Sequence, residues 1–136
     1  MTAEQARDKI IFALDVDTLA AIDQWAERLA NRVGMFKVGK ELFTSVGPAA
    51  VEAVKRHGGE VFLDLKYHDI PNTVAQAMLA AGRLGVKLAN LHALGGPEMM
   101  EKAATEVRKQ FAEAERPRLL AVTILTSSTQ ETLQAV

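Results

Sequence analysis

Short apolar runs alternate with longer runs of helical period along the chain. Residues 9–16 (KIIFALDV) are β-rich and apolar. Residues 19–32 then place Ile22, Trp25, Ala26 and Leu29 at three- and four-residue spacing, which predicts an amphipathic helix. Thr18 is its expected N-cap and Gly34 its expected stop. Residues 35–43 (MFKVGKELF) read as a second strand leaving into a loop. Residues 47–59 read as a helix with Pro48 in its first turn, basic residues in its last turn and Gly58 after it. A third strand is expected at 60–65 and a third helix at 71–85, with Asn72 or Thr73 as cap. A fourth strand at 86–94 and a fourth helix at 97–114 follow. A fifth strand at 117–125 leads into the start of a fifth helix at 127–136. Short connections and strands that are apolar throughout predict a parallel α/β sheet covered by helices. Two architectures fit. One is an open doubly wound sheet, which suits the length. The other is a (β/α)8 TIM barrel, which usually needs about 250 residues.

Composition narrows the class without changing this picture. Of the 136 residues, 49% are hydrophobic and 24% charged, as in a soluble globular protein. The formal net charge of −1 gives no basic footprint for nucleic acid. There is no cysteine, which excludes disulfides and thiolate metal sites. The N-terminal residues lack the apolar core of a secretory signal, and no apolar run is long enough for a membrane span. A cytoplasmic location is expected, with no partner among nucleic acids or membranes.

The polar residues decide between the architectures. The ends of the predicted strands carry Asp15 and Asp17; Lys37 and Lys40; Asp64 and Lys66, then His68 and Asp69; His92; and Thr126 and Ser127. Both architectures put ligand sites at that edge. The period of a strand sets Asp64 and Lys66 on one face, the interior in a barrel. Single charges such as Asp17 or Lys40 are ordinarily just solvated, and Asp64 with Lys66 would be an ordinary ion pair in isolation. Converging carboxylates and lysines are different. Like charges at 4 Å oppose each other by about 4 kcal/mol at an effective dielectric of 20, and alternating the signs offsets that. Such a row suits a site that meets a negative substrate and delivers a proton.

The segment DLKYHDIPNT (64–73) resembles the D-x-K-x-x-D signature of the orotidine 5'-phosphate decarboxylase family in its bacterial form. FALDV (12–16), FKVGKELF (36–43), LHALGG (91–96) and TILTS (123–127) resemble that family's first, second, fourth and fifth strands, so the resemblance runs through the whole chain. It implies a TIM barrel of which the first five strands and about four and a half helices lie here. Residues 1–136 would then be the N-terminal part of one barrel domain. It implies a carboxy-lyase of pyrimidine nucleotide synthesis that makes uridine 5'-phosphate without a metal or organic cofactor. By the same resemblance Lys66 protonates the carbanion at ring carbon 6, and Asp64 stands against the substrate carboxylate. Lys37 holds the array and reaches the ribose, and Asp15 binds a ribose hydroxyl. Asp69 is donated across a homodimer interface, with Thr73 of the same loop near the ribose. Thr126 and Ser127 contact ribose and pyrimidine.

Magnesium-dependent sugar-phosphate decarboxylases and hexulose-phosphate synthases share the Asp-x-Lys-x-x-Asp strand. They are the alternative, but they resemble a pattern with an acidic residue where Lys37 stands. The phosphate grip of such barrels lies in loops after strands seven and eight. A chain ending at Val136 is therefore expected to carry the charged array without its clamp, as an inactive or self-associating half-barrel. Other residues have plain readings. His92 lines the pocket or is a packed, satisfied histidine. His57 is a surface residue at a helix end, and His68 shapes its loop. Gly95 and Gly96 make a turn, Met99 and Met100 fill the core, and Trp25 packs helix on sheet.

Overall fold

The computed structural model describes residues 1–135; Val136, the last residue of the expected fifth helix, lies outside them. Five strands, β1 (Ile11–Ala13), β2 (Met35–Gly39), β3 (Val61–Tyr67), β4 (Leu88–His92) and β5 (Arg118–Val122), form one sheet in the order β1-β2-β3-β4-β5. Every adjacent pair is parallel. A doubly wound sheet reverses its strand order at a switch point. An order that never reverses is that of a (β/α)8 barrel.

Helix α1 (Ala3–Arg7) precedes β1; α2 (Leu19–Leu29), α3 (Lys40–Val46), α4 (Ala49–Arg56), α5 (Pro71–Arg83) and α6 (Pro97–Gln110) fill the intervals, with a 3-10 turn at Ala93–Gly95; and α7 (Gln130–Gln134) follows β5. Among the described residues, no helix is long and apolar enough to cross a membrane.

The register divides the sheet into two faces. Phe36, Val38, Val61, Leu63, Ala89 and Leu91 point toward the helices and are buried. They pack with Ile22, Ala26, Val51, Val54, Met78, Met99 and Ala103 of the helices to form the core. The alternate residues, Lys37, Phe62, Asp64, Leu88 and Asn90, share the other face. That face is the one a barrel turns inward. Trp25 packs on Phe12, with ring centroids 5.2 Å apart, and Met99 is buried, as expected.

Several sequence expectations are corrected. The first strand is shorter than 9–16, although the Leu14 amide still donates to the Lys37 carbonyl at 3.0 Å. The expected second strand stops at Gly39, and its tail from Lys40 onward is helix α3, which buries Leu42 and packs Phe43 and Val46 on the core. Thr18 caps α2 as expected, its Oγ1 accepting from the Ala21 amide at 3.3 Å. Gly34 does not stop that helix, whose C-cap is Ala30. Gly34 is instead small because a Cβ there would meet the Asp8 carbonyl oxygen at 2.5 Å. Helix α5 is capped by Ile70 with Pro71 in its first turn, so neither Asn72 nor Thr73 is the cap. The fourth helix ends at Gln110, short of residue 114, and α1 was not expected at all. His57 is more than a surface residue: its Nε2 lies 2.9 Å from Asp23 Oδ1, with Arg56 on the same oxygen at 3.3 Å, which ties α4 to α2. Those two neighbours, His57 first, hold the Asp23 carboxyl below its ordinary value against a smaller effect of burial.

Candidate active site

At the C-terminal edge of β1 to β3, four charged side chains meet. Lys37 Nζ lies 3.4 Å from Asp64 Oδ2 and 3.9 Å from Asp15 Oδ1. Lys66 Nζ donates to Asp64 Oδ1 at 2.6 Å. The signs alternate along Asp15, Lys37, Asp64 and Lys66. Asp64 is nearly buried, whereas Asp15 is open to solvent at its edge of the row. Register explains the meeting, because Gly39 is paired with Asp64 and Lys37 with Phe62 on adjacent strands. Gly39 carries no side chain, and Lys37 Nζ occupies the space beside it.

Burial opposes ionisation of Asp64. Hydrogen bonds from Lys66 and Asn90 and the charges of Lys66 and Lys37 outweigh burial and hold its carboxyl below the ordinary value. The group is thus a fixed negative charge between two cations.

Asn90, on β4, was missed by the sequence reading. It is 2% exposed. Its Nδ2 donates to Asp64 Oδ1 at 2.6 Å, and its Oδ1 accepts from the Lys66 amide at 2.7 Å. The signal was a lone amide inside the apolar run KLANLHAL.

The array lines a small cavity of about 170 Å³, together with Leu14, Lys40 and Leu42. A larger cleft of about 580 Å³ lies at the opposite, N-terminal end of the strands, among Asp8, Glu60, Lys87 and Arg118. Size favours that cleft, but α/β proteins place ligand sites at the C-terminal edge, where the ordered charges are.

The remaining expected residues are not in the array. Asp69 is exposed in the loop after β3, where its Oδ1 accepts from the Ile70 amide at 2.7 Å. Thr73 is exposed on the first turn of α5. Thr126 and Ser127 are exposed in the turn after β5. His92 is not a satisfied histidine: its Nδ1 is buried without a hydrogen-bond partner among the described residues. Its ring lies 5.4 Å from that of His68. Burial first, then the charges of His68, Lys40 and Lys66, push its pKa down. Among the described residues no cluster of three or more His, Asp and Glu side chains is arranged to hold a metal ion.

Comparison with known proteins agrees with the geometry. The chain is 82% identical over 136 residues to the orotidine 5'-phosphate decarboxylase of Trichlorobacter lovleyi, covering 100% of this chain and 56% of the relative. It is 63% identical to the same-named protein of Geobacter sulfurreducens, covering 100% of this chain and 57% of that one. The crystal structure of orotidine 5'-phosphate decarboxylase from Lactobacillus acidophilus superposes with a TM-score of 0.82 at 37% identity, over 92% of this chain and 57% of that one. An uncharacterized conserved protein from Geobacillus kaustophilus superposes equally well, at 0.82 and 43% identity, over 91% and 58%. The chain thus spans a little over half the length of the relatives it matches. The model of one family, described as orotidine 5'-phosphate decarboxylase / HUMPS, matches residues 8–136, and this match takes in every charged residue of the array. With its uninterrupted parallel strand order and that array, the chain belongs to the orotidine 5'-phosphate decarboxylase / HUMPS family.

Proposed function

We propose that the protein carrying this sequence decarboxylates orotidine 5'-phosphate to uridine 5'-phosphate, and that residues 1–136 are the N-terminal part of its single barrel domain. The observation that carries the reading is the alternating row Lys37–Asp64–Lys66, with contacts of 3.4 and 2.6 Å. In this reading the bond between ring carbon 6 and the substrate carboxylate breaks. Carbon dioxide leaves, and the electron pair stays on carbon 6. Lys66 then gives its ammonium proton to that carbon. Asp64, held ionised, stands against the substrate carboxylate and repels it. Two carboxylates at 4 Å oppose each other by about 4 kcal/mol at an effective dielectric of 20, and departure of carbon dioxide relieves this. Lys37 and Lys66 keep Asp64 charged and face the negative charge that develops, where fixed charges are worth most.

Asp15 and Lys37 bind the ribose in this proposal, and Thr126 and Ser127 contact ribose and base. Asp69 and Thr73, exposed after β3, are the residues a homodimer partner would receive. A magnesium-dependent relative is less well supported, because Lys37 puts a cation where such a site needs an acid.

The test is loss of orotidine 5'-phosphate followed by absorbance in buffer containing a chelator. The wild-type protein is expected to turn over. Lys66→Ala is expected to abolish turnover while keeping the circular dichroism of the fold. Substantial turnover in that variant would remove Lys66 from the role of acid.

A further inference from the structure

Strand β3 carries a local irregularity at the point where its chemistry sits. Leu63 is opposite Ala89 and Tyr67 is opposite Leu91. β3 therefore takes four steps where β4 takes two, and Asn90 is the one residue of β4 between those pairs. Within this bulge Lys66 has φ of 53°, the one positive φ at a non-glycine position among the described residues. A bulge leaves backbone groups without their ladder partners. Here the Lys66 amide is taken up by Asn90 Oδ1 at 2.7 Å, and the other end of the same amide side chain donates to Asp64 Oδ1 at 2.6 Å. That oxygen also receives Lys66 Nζ at 2.6 Å. With Oδ1 doubly occupied, Oδ2 is the oxygen left toward Lys37, at 3.4 Å.

We propose that Asn90 is a positioning residue for the Asp64–Lys66 pair, one buried amide that fixes the carboxylate at one end and the backbone of the proton-donating lysine at the other. An amide supplies an acceptor and a donor together. Aspartate, of the same shape, supplies the acceptor but sets a second carboxylate against Asp64. Leucine, of similar size, supplies neither. Asn90 acts through Asp64 and Lys66 and is not itself assigned contact with substrate. Its effect on rate rests on the decarboxylase reading, whereas its hold on Asp64 does not.

The test compares wild type, Asn90→Leu and Asn90→Asp in the full-length protein, with two readouts. The first is the pH titration of the Asp64 side-chain carboxyl by carbon-13 NMR. The second is kcat and KM for orotidine 5'-phosphate across pH. Both variants are expected to titrate Asp64 at higher pH than wild type. Both are expected to lose roughly tenfold to a hundredfold in kcat, the scale of one hydrogen bond to a charged group. KM is expected to change by less than about threefold, because uniform binding is not what is lost. A residue that merely fills the space beneath the bulge would move neither the titration nor the pH profile. Unchanged titration and unchanged kcat in Asn90→Leu overturn the proposal. Should that variant fail to fold, Asn90→Asp decides alone, since it keeps the acceptor for the Lys66 amide and puts a second carboxylate in place of the donor to Asp64; unchanged titration and unchanged kcat there overturn the proposal as well. Absence of turnover in wild type would refute the decarboxylase reading, and the carboxyl titration would still decide the role of Asn90.

Discussion

Lys66 is where fold and chemistry oppose each other most directly. It is a lysine with φ of 53° inside a strand, and its ammonium is 2.6 Å from Asp64. Substituting alanine or glycine removes the ammonium equally, so the lost ion pair is common to both variants. Neither replacement has side-chain rotamers to freeze. The two differ only in backbone preference. An L-residue in the left-handed region costs roughly 1–2 kcal/mol, which glycine avoids. Glycine in turn gives up about 0.5–1 kcal/mol more chain entropy on folding. The balance favours Lys66→Gly over Lys66→Ala by roughly 0–1.5 kcal/mol, about 0.75 kcal/mol at the middle of both ranges. Urea unfolding, followed by Trp25 fluorescence and far-ultraviolet circular dichroism, reads this difference as a higher midpoint at equal slope. On the proposed reading both variants should lack decarboxylase activity, because neither keeps the Lys66 ammonium. A more stable alanine variant would refute the claim that the Lys66 backbone is held left-handed.

Two further predictions follow from the same site. The Asp64 carboxyl is held below its ordinary value of 3.8. Its ionised form therefore adds stability above that value and loses the contribution as pH falls through the folded value. Asp64→Asn should flatten the acid side of a plot of urea midpoint against pH, and an unchanged acid side would argue that Asp64 is not held ionised by its neighbours. If Asp69 is donated across a homodimer, equal amounts of Asp69→Ala and Lys66→Ala subunits should recover about a quarter of the wild-type rate, since half the dimers are hybrids with one complete site. No recovery, with hybrids shown to form by native mass spectrometry, would argue against the donated aspartate.

The sheet was legible because its strands are apolar on the helix-covered face and the segments between them keep helical period. What was misread has local causes. Helix α3 begins one residue after β2 ends, so Leu42 and Phe43 looked like the tail of a strand. Helix α1 had a signal that was passed over, since Thr2 and Gln5 form a reciprocal capping box. Pro71 displaced the expected cap of α5 because its ring suits the first helical turn. The charges of the array could be named from the sequence, but the bulge could not. A bulge is a mismatch between two strands, and no single stretch of chain records it. Asn90 stood out as a lone amide, but its role did not, because its partners Asp64 and Lys66 lie 26 and 24 residues earlier.

Alternation lets β3 serve two opposed demands, and the bulge leaves that alternation intact. Leu63 belongs to the buried face and Tyr67 packs against the same core. Between them the chain must present Asp64 and Lys66 to the other face. Two extra residues preserve the alternation of the strand, whereas one extra residue would turn every later side chain over. Tyr67 therefore returns to its place opposite Leu91 after Lys66 has been set beside Asp64. The cost is confined to one left-handed residue, and Asn90 satisfies the amide that this conformation displaces. Apolar packing on the helix side stabilises the sheet without drawing on the charged row. The row can then be arranged for electrostatics alone, in a strand whose opposite face remains part of the core.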